Sequence, residues 1–263
     1  MGLVYTMVKR ALLIGINYVK TANELNGCIN DVNNVKKCLI EVFQYSTENI
    51  KLMSDNELTT LRPTKQNILT QLSTIVNLTK TGDTLFIHYS GHGTQVLSLN
   101  LDEIFNLDGL MRDDAIVPLD FGTSGFIVDD DLRKNIVEKV PNGAKLRVFL
   151  DCCHSGTGLD LPYNYKIGET FTKMYNSLPN NLDCVLISGC KDSQTSADAY
   201  VGGVWAGALT RALLPLLKNS KTVPTTWKQL LMLVRHSLLI GGYSQIPLLS
   251  VGAVATSKLT IDI

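Results

Sequence analysis

The chain has 263 residues, in which 24 Lys and Arg balance 24 Asp and Glu. That length suits a single α/β domain able to bury a substantial core, and the balanced charge excludes a global field that would draw it to nucleic acid or to an anionic membrane. Apolar stretches such as Ala11 to Ile16 and Leu230 to Val234 fall short of a membrane span, and the first residues lack a signal layout, so a soluble, cytoplasmic protein is expected.

Lys9 to Asn17 reads as a buried strand, and Cys28 to Phe43 repeats apolar positions at helical spacing. Ile50 to Met53 predicts a short strand, Pro63 to Thr79 a helix with Pro near its first turn, and Asp83 to Tyr89 another strand. After His92 the chain turns acidic and irregular through Arg112, and Ala115 to Val128 predicts a hairpin turning at Gly122 to Gly125. Asp129 to Val140 predicts a helix ended by Pro141, Asn142 and Gly143, and Lys145 to Leu150 an apolar strand. Leu161 to Asn181 has poor periodicity and reads as a linker or lid. Beyond it come strand Cys184 to Ser188, helices Trp205 to Leu217 and Thr226 to Leu239, and a final strand, Ile246 to Val251. Strands alternating with helices imply a mostly parallel sheet.

Six cysteines, two of them adjacent, in a chain too large to need staples are read as reduced. Zinc is not expected, because no C-x-x-C pair is present and the four histidines form no ligand set with the cysteines.

In open α/β sheets ligands bind beyond the carboxyl ends of the strands. Two His/Cys motifs lie there: Ser90-Gly91-His92-Gly93-Thr94-Gln95, and Asp151-Cys152-Cys153-His154-Ser155-Gly156. A thiol must lose its proton to attack a carbonyl, and an imidazole can take that proton and return it to a leaving amine. Cys153 and His92 suit those roles. His154 competes as base, but neighbours on extended backbone point opposite ways, which assigns it a structural role.

Tyr89 to Gln95 with Asp151 to Gly156 closely resembles the metacaspases of the caspase-like clan, and the likeness extends through Gly27 to Asp31, Ile127 to Asp131 and Ile187 to Asp198. The resemblance implies a caspase-hemoglobinase-like three-layer αβα sandwich with a mostly parallel central sheet. Residues 1–263 would form one peptidase domain: 1–160 large-subunit-like, 161–182 a linker, and 183–263 small-subunit-like. It implies a cysteine endopeptidase with Cys153 as nucleophile, His92 as base and an oxyanion held by the Gly93 and Cys153 backbone.

Asp31, Ser90 and Asp151 match the family's primary specificity pocket, and two carboxylates there favour Arg or Lys and repel Asp. A bland alternative for Asp31 is a helix-start carboxylate. Asp113, Asp129, Asp130 and Asp160 match a calcium site, although Asp129 and Asp130 also precede a helix that they could cap. Lys166 and Lys173 are candidate self-cleavage points. The expected partners are protein or peptide substrates with accessible Arg or Lys, with no nucleic acid or membrane, and the expected state is a monomer. Only Met1 to Val8 precede the first strand, where many of the related type carry a Pro- and Gln-rich extension, so regulation by such a prodomain is not expected. The rival reading is a non-proteolytic caspase-like binding module.

Overall fold

The computed structural model describes residues 6–56, 61–98, 111–152, 158–165, 170–175, 178, 182–189, 198–201, 204–220 and 225–263. Strand β1 (Lys9–Gly15) leads into helix α1 (Cys28–Glu41), followed by β2 (Ile50–Ser54), α2 (Lys65–Leu78) and β3 (Thr84–Ser90). A small antiparallel sheet comes next, formed by β4 (Gly93–Leu97), β5 (Arg112–Ile116) and β6 (Ile127–Val128), with the one-turn helix α3 (Phe121–Ser124) between β5 and β6. Helix α4 (Asp129–Leu132) runs into a π-helical turn, Arg133–Val137, before β7 (Lys145–Asp151). The remainder comprises β8 (Tyr163–Tyr165), β9 (Phe171–Lys173), β10 (Asp183–Ser188), the β11 (Asp198–Val201) and β12 (Val204–Gly207) hairpin, helices α5 (Ala208–Asn219) and α6 (Trp227–Ile240), and β13 (Leu248–Val251).

Among the described residues the main sheet has the order β2-β1-β3-β7-β10-β13-β8-β9. The first five strands are mutually parallel and the last three join antiparallel. Side-chain alternation splits the core in two. Leu12, Ile14, Ile87 and Tyr89 pack with α2 and the 133–137 turn, whereas Ala11, Leu13, Phe86 and Phe149 pack with α1, α5 and α6. These are the three layers expected, and the parallel strands deliver their carboxyl ends to one edge.

Three segments differ from the sequence reading. The stretch expected to be irregular after His92 contains β4 and β5, which pair from Gly93↔Ile116 to Leu97↔Arg112; residues 99–110 lie outside the described set. The stretch read as a linker, 161–182, contains β8 and β9, which extend the sheet beyond β13; pairing that runs antiparallel to a strand far along the chain leaves no local periodicity. Finally, Trp205 to Gly207 belong to β12 and the helix begins at Ala208, because tertiary pairing with β11 claims an apolar run that either state could use.

Candidate active site

Asp31 stands in the first turn of α1, whose start is fixed from outside: the Cys28 and Ile29 N–H groups donate to Asn17 Oδ1 at 3.0 and 3.4 Å. The Asp31 carboxylate is fully buried, and the donors seen on it come from other elements. Ser90 Oγ donates to Oδ2 at 2.7 Å, and the Gly207 N–H donates to Oδ1 and Oδ2 at 3.0 and 2.9 Å. Those partners argue against the simple helix-start role.

Asp151 pairs in register with Ser90, and its Oδ2 accepts from Thr210 N at 2.8 Å and Thr210 Oγ1 at 2.7 Å. A side-chain carbon built on Gly207 would lie under 3.0 Å from both Asp31 Oδ2 and Asp151 Oδ2. Two buried carboxylates therefore converge on one glycine. Like charges this close, out of water, are stabilised by a cation between or beside them.

His92 follows β3 directly. Its Nε2 is 2.8 Å from Asn23 O, and because a carbonyl only accepts, Nε2 carries the proton and Nδ1 is left as the basic nitrogen. The Tyr18 ring lies against the imidazole, with centroids 4.8 Å apart. Val117 N–H donates to His92 O at 3.2 Å, but the reciprocal rung is opened by a hydroxyl. Tyr18 OH accepts from His92 N–H at 3.1 Å and donates to Val117 O at 2.6 Å, while Tyr89 OH lies 2.7 Å from His92 O as its donor. Gly91 leaves room for these hydroxyls, since a side-chain carbon there would meet Tyr89 OH at 2.6 Å. With His92 and Val117 marking a bonded position of the antiparallel ladder, the alternation turns the Gly93 N–H away from β5.

Cys153 and His154 lie outside the described residues, as do Lys166 and residues 190–197. Cys152 is fully buried, which removes it from contact with a substrate. Cys38 and Cys184 are buried thiols whose pKa burial pushes up to about 11 and about 12, so neither is a reactive nucleophile.

Asp113 lies on β5, Asp129 and Asp130 open α4, and Asp160 follows β7 with a left-handed φ of 46°. Asp113, Asp129 and Asp160 are buried, an oxygen-only donor set whose chemistry suits a hard cation. Their arrangement does not complete a site: among the described residues no three His, Cys, Asp or Glu side chains are placed to hold one ion. Asp129 instead accepts from the Asp114 N–H at 2.9 Å and the Asp130 N–H at 3.0 Å, tying α4 to β5. Lys173 is exposed on the outermost strand, paired with Tyr163.

Sequence reasoning missed Tyr18, Tyr89, Asn23, Gly207 and Thr210. A Gly at the end of an apolar run, a tyrosine within the buried strand β3 and another in the loop after β1 carry no local signal of a site. Their meaning arises only where β1, β3, β7, β12 and α5 meet.

The sequence matches the family described as "Metacaspase, peptidase C14 domain" over residues 9–162. It is 35% identical to Metacaspase-1 of Schizosaccharomyces pombe and 37% identical to Metacaspase-1 of Candida albicans, over 92% of this chain in each case. The chain spans 67% and 64% of the length of those two relatives and 62% of Metacaspase-1 of Cryptococcus neoformans. Among solved structures, a Geobacter sulfurreducens protein superimposes with a TM-score of 0.66 at 23% identity, covering 95% of this chain and 97% of that one. Caspase-1 from Spodoptera frugiperda superimposes with a TM-score of 0.62 at 13% identity, covering 93% and 86%, a likeness of fold.

Proposed function

The chain belongs to the metacaspase family, and from that membership we propose that it is a cysteine endopeptidase cleaving after Arg or Lys through Cys153 and His92. The observation that carries the specificity is the pair of buried carboxylates, Asp31 and Asp151, closing on Gly207 at the edge that presents His92. A guanidinium or ammonium placed there gains charge-assisted hydrogen bonds, with the Ser90 hydroxyl holding Asp31 in place. An Asp side chain would meet repulsion.

In the proposed reaction Nδ1 of His92 takes the Cys153 thiol proton, and the thiolate attacks the scissile carbonyl carbon. The carbonyl oxygen becomes an oxyanion facing the N–H groups of Gly93 and Cys153. Collapse breaks the C–N bond, His92 gives its proton to the leaving amine, and a thioester remains. Water, deprotonated by His92, then releases the acid and the thiol. The Nε2–H bond to Asn23 O supports this assignment, since it keeps the ring in the tautomer that leaves Nδ1 basic and stabilises the imidazolium formed in between.

Fluorogenic peptides ending in Arg, Lys or Asp test the proposal. Release is expected after Arg and Lys and not after Asp, and Cys153→Ala should abolish it. Asp31→Ala should lower kcat/KM by roughly 30-fold or more in protein that remains folded. Absence of release from every peptide by folded protein would favour a binding module.

Calcium binding at Asp113, Asp129, Asp130 and Asp160 is proposed on donor chemistry alone, and no catalytic step is routed through it. Activity and Tm should both be higher in millimolar-range calcium than in chelator at matched ionic strength; equal values in the two buffers would refute it. Self-cleavage at Lys166 or Lys173 is proposed on pocket preference and, for Lys173, on exposure. Intact-mass analysis of the active protein should show a break after one of these lysines that Cys153→Ala lacks, and a single unbroken chain would count against both. A monomer is proposed because β8 and β9 cover the β13 edge. A reducing, cytoplasmic setting is proposed from the buried, unbridged thiols of Cys38 and Cys184. Among the described residues no helix is long and apolar enough to cross a membrane.

A further inference from the structure

Behind the two carboxylates lies a layer that the dyad does not use. His88 occupies the interior of β3 and is 1% exposed, beside a small apolar cavity lined by Phe86, Phe149, Leu213 and Leu217. Burial pulls its pKa down to about 3, so the ring is neutral at physiological pH. Its Nδ1 has no hydrogen-bond partner among the described residues. A leucine would fill such surroundings at less cost than an imidazole with one orphaned nitrogen. The other nitrogen has a specific use.

His88 Nε2 is 3.2 Å from Thr210 Oγ1, and Thr210 Oγ1 is 2.7 Å from Asp151 Oδ2. A hydroxyl has one hydrogen, and an ionised carboxylate only accepts. The Thr210 hydrogen therefore goes to Asp151, and Oγ1 must accept from Nε2–H. The Thr210 N–H, in the first turn of α5, supplies a second bond to the same carboxylate oxygen at 2.8 Å. Direction runs one way along the chain, from imidazole to hydroxyl to carboxylate.

We propose that His88 and Thr210 are positioning residues for substrate specificity, with His88 committing the Thr210 hydroxyl to Asp151 and so fixing that carboxylate to receive the guanidinium or ammonium of the substrate. The inference rests on the reading of Asp31 and Asp151 as the pocket for a basic side chain. Without Nε2–H the hydroxyl is free to rotate away, and Asp151 Oδ2 loses that donor while keeping the one from the Thr210 N–H. Ground-state and transition-state binding of the basic side chain weaken together, which raises KM and leaves kcat in place.

The decisive variant is His88→Leu, because a purely structural role and a positioning role predict opposite outcomes. It removes an orphaned buried nitrogen, so Tm should hold or rise, while KM for Arg and Lys peptides should rise roughly three- to tenfold at nearly unchanged kcat, the size of one lost hydrogen bond. Thr210→Val should raise KM by at least as much, and Thr210→Ser should restore the wild-type value. Unchanged KM in both His88→Leu and Thr210→Val, or a fall in kcat at constant KM, would overturn the inference. Asp151→Ala, assayed alongside, separates the two levels: if it leaves the preference for Arg and Lys intact, the pocket reading itself fails, whereas a large Asp151 effect with silent His88 and Thr210 variants defeats the inference alone.

Discussion

Under the proposed Arg and Lys specificity, Gly207→Ala is expected to lower kcat/KM on Arg and Lys peptides by on the order of 100-fold. The added methyl would sit under 3.0 Å from Asp31 Oδ2 and Asp151 Oδ2, so one or both carboxylates must swing out of position. Backbone strain does not contribute, because Gly207 has φ −64° and ψ 138°, a conformation that alanine adopts freely. The loss therefore isolates the steric exclusion. Displacement of Asp31 also loosens its two bonds from the Gly207 N–H and its bond from Ser90 Oγ. Steady-state kinetics on Arg and Lys peptides, with thermal unfolding as a control for folding, provide the measurement. Wild-type kinetics in this variant would mean that the two carboxylates do not converge on residue 207 in the working protein.

Arg147→Ala is expected to destabilise the fold by about 3–5 kcal/mol, mainly from the cavity left by a fully buried side chain and the carbonyls it leaves unpaired, with a smaller share from its ion pairs because the Asp183 and Asp262 side chains are 27% and 33% exposed. The Arg147 side chain is fully buried in the middle of β7. Its guanidinium donates to Asp183 Oδ1 and Oδ2, each at 3.0 Å, to Asp262 Oδ1 at 2.7 Å, and to the carbonyls of Leu146, Asp183 and Asp262. It also lies 5.4 Å from the centroid of the buried Trp227 ring. Truncation leaves three carbonyls short of a donor and a hole beside the indole. Lysine should not rescue, because a single ammonium cannot reproduce the planar fork to Asp183 and Asp262. A fall in Tm of roughly 6–20 °C is expected in a chain of this size. The cluster sits at the amino-terminal side of the parallel strands, opposite His92, so whatever protein remains folded should keep its KM. A stability change near zero would show that the carboxylates and Trp227 repack without the guanidinium.

The alternation of strands and helices was legible because each element carries its own periodicity. The apolar runs of β1, β3 and β7 and the helical spacing of α1 and α6 arise from burial on two faces or one. Helix starts were legible where the cap is local, as at Thr226, whose side chain and Gln229 form a capping box. The start of α1 at Cys28 was legible from helical spacing, although the bonds that fix it come from Asn17, eleven residues upstream. Arg147 was invisible as a feature of an apparently apolar strand, because its partners lie 36 and 115 residues away. β8 and β9 were missed for the same reason: three-residue strands on a sheet edge owe their form to the neighbour they pair with.

The candidate site divides along the same line. His92 and Cys153 could be named from short motifs at strand ends, whereas Asp31, Ser90 and Asp151 could be named only through the resemblance to the metacaspases. The sequence by itself determined the alternation of strands and helices and the sheet edge where chemistry is proposed, since these follow from local periodicity, while the three-layer arrangement followed from the family resemblance. Only the tertiary structure decided which nitrogen of His92 is basic, that two tyrosine hydroxyls hold its backbone, that two carboxylates close on Gly207, and that His88 reaches Asp151 through Thr210. Each of those rests on a hydrogen bond or a close approach between residues distant in the chain, and such contacts are set by how the elements pack.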